Sequence, residues 1–241
     1  MHKLTLYSLS IIFSACSYHS PQTSEKPSDF PVKLVLHSPI SIEKATEVKE
    51  KIGQAFTRLS DEFNLSEKEV FNVHIWQDYN DYLSAQKVNI GASYEGSAGY
   101  VFSKNDLAVY YNDDMVENIE HEFIHAASLH LNNEFGNNPR WLWEAVAIYE
   151  SGEFTHPQQI EYLRNGDFPS LSELNGMLTP DGANKIYQVG YLLAEFIIEK
   201  WGRAKYLQLI QESGHLNNVL SVSEKEFEEE WKQFVSAKYI N

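Results

Sequence analysis

Four residues near the middle of the chain have the types and spacing to do chemistry together: His121, Glu122, His125 and Glu144. The first three read His-Glu-x-x-His. In a helix four residues advance about 400°, so His121 and His125 project about 40° apart and both rings reach one point in space. Glu122 stands about 60° from His125, at the edge of that face, where a carboxylate reaches a metal-held water without binding the metal itself. Two imidazoles leave a catalytic zinc site incomplete, because such a site takes three protein ligands and keeps one position open. Glu144, nineteen residues beyond His125 in Trp141-Leu142-Trp143-Glu144-Ala145, is the third. The chemistry this set would perform is hydrolysis. Zn2+ held by His121, His125 and Glu144 lowers the pKa of its water to about 7, and Glu122 accepts the water proton as general base and passes it to the leaving amine. A neutral hydrogen-bond donor opposite the metal would steady the oxyanion.

Elements of the right period surround these residues. Met115, Val116, Ile119, Phe123, Ala127 and Leu131 form one apolar stripe, which predicts a helix from Asp113 onward anchored on the side away from the histidines. Asn138 and Pro139 read as N-cap and first-turn proline of the next helix, with Gly152 just past its end. Glu144 stands on that helix, antiparallel to the first if the turn between them is tight, with Trp141 and Leu142 holding it to the core. Gly182 to Trp201 reads as a long helix closed by Gly202, and Lys205 to Glu212 as a shorter one. Ser223 and Glu226 form a capping box for a last helix reaching about Ala237.

Upstream the pattern is different. Val32 to Leu36 and Val70 to Trp76 read as strands, separated by a helix over Ser41 to Phe63 with Ile42, Ala45, Val48, Ile52, Phe56 and Leu59 on one face. Asp78 to Ala85 is a short helix and the Gly- and Ser-rich run Gly91 to Gly99 a loop. Tyr100-Val101-Phe102 and Leu107 to Tyr111, flanking Lys104-Asn105-Asp106, predict a hairpin. A small sheet first and helices after is an α+β arrangement, with one domain over residues 32–241, sheet-rich in 32–112 and helical in 113–241. No internal repeat is present.

Composition narrows where such a domain works. Apolar residues make up 43% of the 241 and aromatic residues 13%, enough for a core. The net charge of -15 argues against a nucleic-acid partner, which needs a basic surface, and against electrostatic binding to anionic lipid. Lys3 followed by the short apolar run Leu4 to Phe13 and the small residues Ser14-Ala15 outlines a signal peptide over 1–15, too short to span a membrane. Cys16 is the single cysteine, so no internal disulfide forms. Phe13-Ser14-Ala15-Cys16 resembles the lipobox of bacterial lipoproteins, with Phe13 where Leu is usual, and implies a lipid on Cys16. Residues 16–31, with Pro21, Pro27 and Pro31, read as a flexible tether. The layout expected is a domain lipid-anchored in the bacterial cell envelope, on the outer membrane facing the periplasm, or secreted.

The chain resembles the gluzincin peptidases, in particular the peptidase MA-like domains, over roughly residues 70–238. The resemblance rests on His121-Glu122-x-x-His125 with Glu144 and on Pro139-Arg140-Trp141-Leu142-Trp143-Glu144-Ala145-Val146-Ala147-Ile148-Tyr149, which is similar to that family's Pro-x-Trp-Leu-x-Glu-Gly-x-Ala-x-Tyr segment. It implies a zincin-like metallopeptidase fold, zinc on His121, His125 and Glu144, and Glu122 as base. Tyr187-Gln188-Val189-Gly190 is similar to the family's Tyr-x-x-Gly element and implies Tyr187 as oxyanion donor. Phe227-Glu228-Glu229-Glu230-Trp231 resembles its final, structural helix. Ala145 stands where Gly is common, and Ile148 where thermolysin-type members have Asp, so the pattern names no partners for the histidine rings. Gly96 to Tyr100 lies where the family's substrate-pairing edge strand begins, and Ala98 to Phe102 is expected to pair with a peptide or protein substrate by strand addition.

The remaining histidines stand apart. His130 is about 140° round the helix from His125 and cannot join the site. His37, His74, His156 and His215 have no partners in sequence. A second reading of the whole chain is a membrane-tethered peptide-binding or scaffold lipoprotein that keeps the fold and hydrolyses little. Against it stands Glu122, which a retired enzyme has no physical need to keep.

Overall fold

The computed structural model of the chain describes residues 31–176 and 185–240. The expected signal peptide, Cys16, the tether as far as residue 30 and the first turn of the Gly182 helix lie outside the described residues.

The architecture is α+β, with a small four-stranded mixed sheet on the N-terminal side. Strands β1 (Val32–Leu36), β2 (Phe71–Trp76), β3 (Gly99–Ser103) and β4 (Asp106–Tyr110) assemble in the order β1-β2-β4-β3. β1, β2 and β4 run parallel, and β3 returns antiparallel to β4 through the expected hairpin, so β3 is an edge. Period-two alternation decides the faces. Phe71, Val73 and Ile75 of β2 and Leu107 and Val109 of β4 are fully buried on one side. That side meets α1 (Ile42–Leu59) and α3 (Met115–Leu131): the Phe71 ring lies 6.4 Å from Phe56 of α1 and 5.0 Å from Phe123 of α3. The other side takes α2 (Tyr79–Ile90), whose Tyr82 packs with Tyr100 and Ala108.

Local chemistry sets several of the helix ends. The Ser41 hydroxyl accepts from the Lys44 N–H at 3.1 Å and opens α1. The Asp78 carboxylate accepts from Asn80 and Asp81 N–H and opens α2. That helix runs five residues past the expected Ala85. Its burial is limited to Tyr82 and Gln86, so the apolar period is faint, and the chain leaves the helix only at Gly91, whose φ of 81° suits glycine. Ser223 and Glu226 form the expected capping box of α10 (Glu224–Val235), followed by a wider turn over Ser236–Ile240.

The start of α4 (Arg140–Ser151) corrects the sequence reading. Asn138 is not its cap. Pro139 occupies the N-cap position and offers no side-chain acceptor, and the Trp141 N–H is satisfied by Asn175 Oδ1 at 3.1 Å, 34 residues downstream. A long-range side chain here replaces the local one that sequence rules assume. Gly152 closes α4 at φ 79°, as expected.

Helices α7 (Lys185–Trp201) and α8 (Arg203–Gln211) follow the expected pattern. Four short pieces were not expected from sequence: a 3-10 turn at Pro157–Gln159, α5 (Glu161–Arg164), α6 (Leu171–Leu174), which the Ser170–Glu173 capping box opens, and α9 (Leu216–Leu220). At three to five residues they are too brief for a 3.6-residue period to show. Gly190 lets α7 close on α4: a Cβ there would stand 2.7 Å from Ile148 Cδ1 and 3.2 Å from Ala145 Cα. This contact lies beside Glu144 and one helical turn from Tyr187.

Behind the pair α3 and α4 lies a chain of charge, with buried acids and partly exposed bases. Arg58 of α1 forks between two helices, with Nη2 donating to Glu120 Oε1 of α3 at 3.0 Å and Nη1 to Glu150 Oε2 of α4 at 3.1 Å. Lys51 pairs with Glu120 at 2.6 Å. Glu150 also receives the Arg203 guanidinium and, at 3.0 Å, the Tyr206 hydroxyl.

Candidate metal centre

The two helices that carry the candidate ligands run antiparallel. His125 meets Trp143, and His121, one turn earlier on α3, meets Glu153, ten residues later in the chain. This register brings His121, His125 and Glu144 together, with one ligand atom from each within 4.8 Å of the others. His121 Nε2 stands 3.4 Å and His125 Nε2 3.6 Å from Glu144 Oε2. Ligands at about 2.0–2.1 Å from a tetrahedral ion lie about 3.3–3.4 Å apart, so the spacing is close to that of a tripod round one cation. Glu144 Oε2 is buried and has no hydrogen-bond partner, although it faces two ring nitrogens. A cation shared by the three groups satisfies it, and by this measure the residues fit a metal.

The surroundings prepare each ligand differently. His121 Nδ1–H donates to Glu153 Oε1 at 2.7 Å, and the Ser151 hydroxyl steadies the same oxygen at 2.6 Å. That turns Nε2 toward the site and fixes the ring. Burial disfavours a charge on His121, but Glu144 and Glu153 outweigh it and raise the ring well above its usual range. A cation on Nε2 would take the place of the extra proton. Burial takes His125 down to about 4 despite Glu144 beside it, so this imidazole is neutral at pH 7. Its Nδ1 is buried without a partner, and its orientation comes from the Trp143 ring, stacked at 4.1 Å and 8°. Burial also works against the charge of Glu144, yet His121 and His125 outweigh it and hold the carboxyl well below the usual range. The centre is thus a carboxylate facing two imidazoles that compete for one cation.

Glu122 and Tyr187 flank this tripod. Burial pushes the Glu122 carboxyl up to about 8, and a dication held by its neighbours would pull it back toward the usual range. Glu122 packs against the edge strand: a Cβ at Gly99 would lie 2.5 Å from both Glu122 Cγ and Oε1. Only glycine leaves that room. Gly99→Ala should therefore displace Glu122 while leaving the ligands in place. The expected result is metal uptake equal to that of wild type with Glu122 moved off its place; a loss of metal uptake in parallel would argue for a broader collapse. Tyr187 of α7 brings its hydroxyl to 3.4 Å from Glu144 Oε1.

Three residues of the site had not been singled out from sequence: Glu153, Trp143 and Arg140. Position 148, where an acid was sought as ring partner, is fully buried in the core. The acid comes instead five residues on, after Gly152 has turned the chain back toward α3. An acid directly after a helix-ending glycine was the available signal. Arg140 Nη2 donates to the Tyr187 hydroxyl oxygen at 3.3 Å and stands 3.4 Å from Glu144 Oε1.

The other histidines lie elsewhere. His130 bonds Glu69 at 3.0 Å and the Lys104 carbonyl at 3.0 Å, outside the centre as expected. His37 and His74, without partners in sequence, partner each other at 3.1 Å across β1 and β2, and His37 stacks on Trp76. Comparison with protein-family models and with curated proteins gives no match for this chain.

Proposed function

We propose that this protein is a zinc-dependent metallopeptidase of the gluzincin type, with a zincin-like fold, that hydrolyses peptide bonds of peptide or protein substrates. The observation that supports it most is the convergence of His121, His125 and Glu144, with Glu122 on one flank and the Tyr187 hydroxyl on the other. His121 and His125 through Nε2 and Glu144 through Oε2 would hold the ion. Bound zinc would supply Lewis acidity, polarising the scissile carbonyl and acidifying a water to a pKa of about 7.

The chain's own groups do the rest. A peptide laid along the open edge of β3 would be held extended by main-chain hydrogen bonds, its scissile carbonyl beside Glu122. Glu122, its carboxyl drawn back toward the ionised range by a bound dication, takes a proton from the attacking water and returns it to the leaving nitrogen. The Tyr187 O–H, whose ionised form is disfavoured by desolvation and by Glu144 beside it, donates to the carbonyl oxygen as charge develops on it.

Elemental analysis and thermal melting test the metal. Zinc at about 100 times its Kd stabilises a chain by about 2.7 kcal/mol, which for a domain of this size is about 5–11 °C in Tm. A chain that stays metal-free in excess zinc, with Tm unmoved by chelator, would sink the proposal.

We further place the protein in the bacterial cell envelope, held by a lipid on Cys16. Among the described residues no helix is long and apolar enough to cross a membrane. Cys16→Ser should move the protein from the membrane fraction to the soluble fraction and abolish metabolic labelling with a fatty acid. Unchanged membrane retention would overturn the anchor alone.

A further inference from the structure

We propose that Arg140 is a positioning residue that reserves one oxygen of Glu144 for the metal and ties the other to Tyr187. The inference rests on the metal reading above and adds a residue to it.

The two oxygens of Glu144 have separate surroundings. Oε2 faces the two imidazole nitrogens at 3.4 and 3.6 Å and has no hydrogen-bond partner. Oε1 faces Arg140 Nη2 and the Tyr187 hydroxyl, each at 3.4 Å. A carboxylate with both oxygens free can chelate an ion through both, which fills the position that a catalytic site must keep open. With Oε1 drawn toward a guanidinium, Glu144 binds through Oε2 alone.

The same nitrogen reaches Tyr187, 47 residues away on α7, at 3.3 Å, and the guanidinium carbon stands 5.6 Å from the centre of the Tyr187 ring. Nη2 donates to the phenol oxygen, and the phenol hydrogen is directed at Glu144 Oε1, so the three groups form one chain. Arg140 is therefore more than an i,i+4 partner of Glu144. Its side chain is 8% exposed, and a buried cation this near a metal ligand repels the metal. An arginine serving only the helix would sit in solvent, where a pair of this spacing contributes little. The position is costly unless the guanidinium organises the two groups it touches.

Cobalt(II) is the probe, since its visible spectrum reports coordination number. Wild-type protein should show the intense bands of a four-coordinate ion. Arg140→Met should bind cobalt with a weaker, five-coordinate spectrum, as Glu144 closes on the ion with both oxygens. Hydrolysis of a quenched-fluorescence peptide library should fall about 10–100-fold, carried in kcat with KM little changed. The double variant Arg140→Met/Tyr187→Phe should lose no more than Arg140→Met, because the Tyr187 hydroxyl contributes little once Arg140 no longer positions it. Arg140→Lys, which keeps a cation but not the fork, should restore the spectrum in part and guards against a folding defect, with the melting curve as control. An Arg140→Met protein that folds and gives the wild-type cobalt spectrum overturns the proposal, as do losses that simply add with those of Tyr187→Phe. Wild-type protein that takes up no cobalt or zinc overturns the metal reading itself, and this inference with it.

Discussion

Glu122→Gln is expected to keep its zinc and lose hydrolysis by about 10²–10⁴-fold, the usual contribution of a general base. Glu122 is not among the converging ligand atoms, and glutamine has the same shape, so elemental analysis should read the same zinc content as wild type. The fold should not suffer either. Burial raises the Glu122 carboxyl to about 8, which means that folding disfavours its ionised form. The sign follows from linkage: a carboxyl whose folded pKa lies above its unfolded value loses the protein stability as pH rises from about 4.5 toward 8. The neutral amide removes that loss, so Tm of the metal-free protein at pH 7 should hold or rise. A fall in activity with zinc and Tm intact isolates the proton transfer. Equal rates for wild type and variant against a peptide library would instead favour a tethered peptide-binding protein that keeps the centre without the chemistry.

Glu150→Met is the substitution expected to cost most in stability. Glu150 is buried on α4 and receives Arg58, Arg203 and the Tyr206 hydroxyl. Methionine fills the volume but takes one acceptor from each of two guanidinium groups, which keep Glu120 and Glu62, and leaves the buried Tyr206 hydroxyl without its acceptor. Removing one partner from a buried network costs about 3–5 kcal/mol, and the partial exposure of Arg58 and Arg203 places this case near the lower end. About 3 kcal/mol corresponds to a drop of about 6–12 °C in Tm for a domain of this size. The effect should reach the metal, because Arg58 bridges Glu150 to Glu120, the residue directly before His121. Zinc affinity of the folded variant should weaken as α3 and α4 loosen against each other. A melting curve within 2 °C of wild type, a shift below about 1 kcal/mol, would mean that Glu120 and Glu62 satisfy the two arginines on their own.

Much of this fold follows from short-range pattern. The stripe from Met115 to Leu131, the strand over Phe71–Trp76 and the hairpin round Lys104-Asn105-Asp106 were legible because apolar period and turn chemistry act within a few residues. The helices α5, α6 and α9 were not, since their place depends on packing. Asn138 failed as a cap for a related reason: the acceptor that satisfies α4 comes from Asn175, and no rule of local spacing reaches 34 residues ahead.

The candidate centre divides along the same line. The sequence by itself determined the donor set, because a helix of 3.6 residues per turn must place His121 and His125 on one face with Glu122 at its edge, wherever that helix lies. It also marked Glu144 and Tyr187, and it excluded His130 by angle. Only the tertiary structure decided what those groups meet. Antiparallel packing of α3 and α4 set Glu153 on His121 and stacked Trp143 on His125, the close approach at Gly190 brought Tyr187 to Glu144, and the edge position of β3 put Gly99 against Glu122. Helical periodicity fixes the directions of neighbouring side chains along one element. Contacts between elements depend on how whole faces bury against each other, and that is settled by the sum of the core.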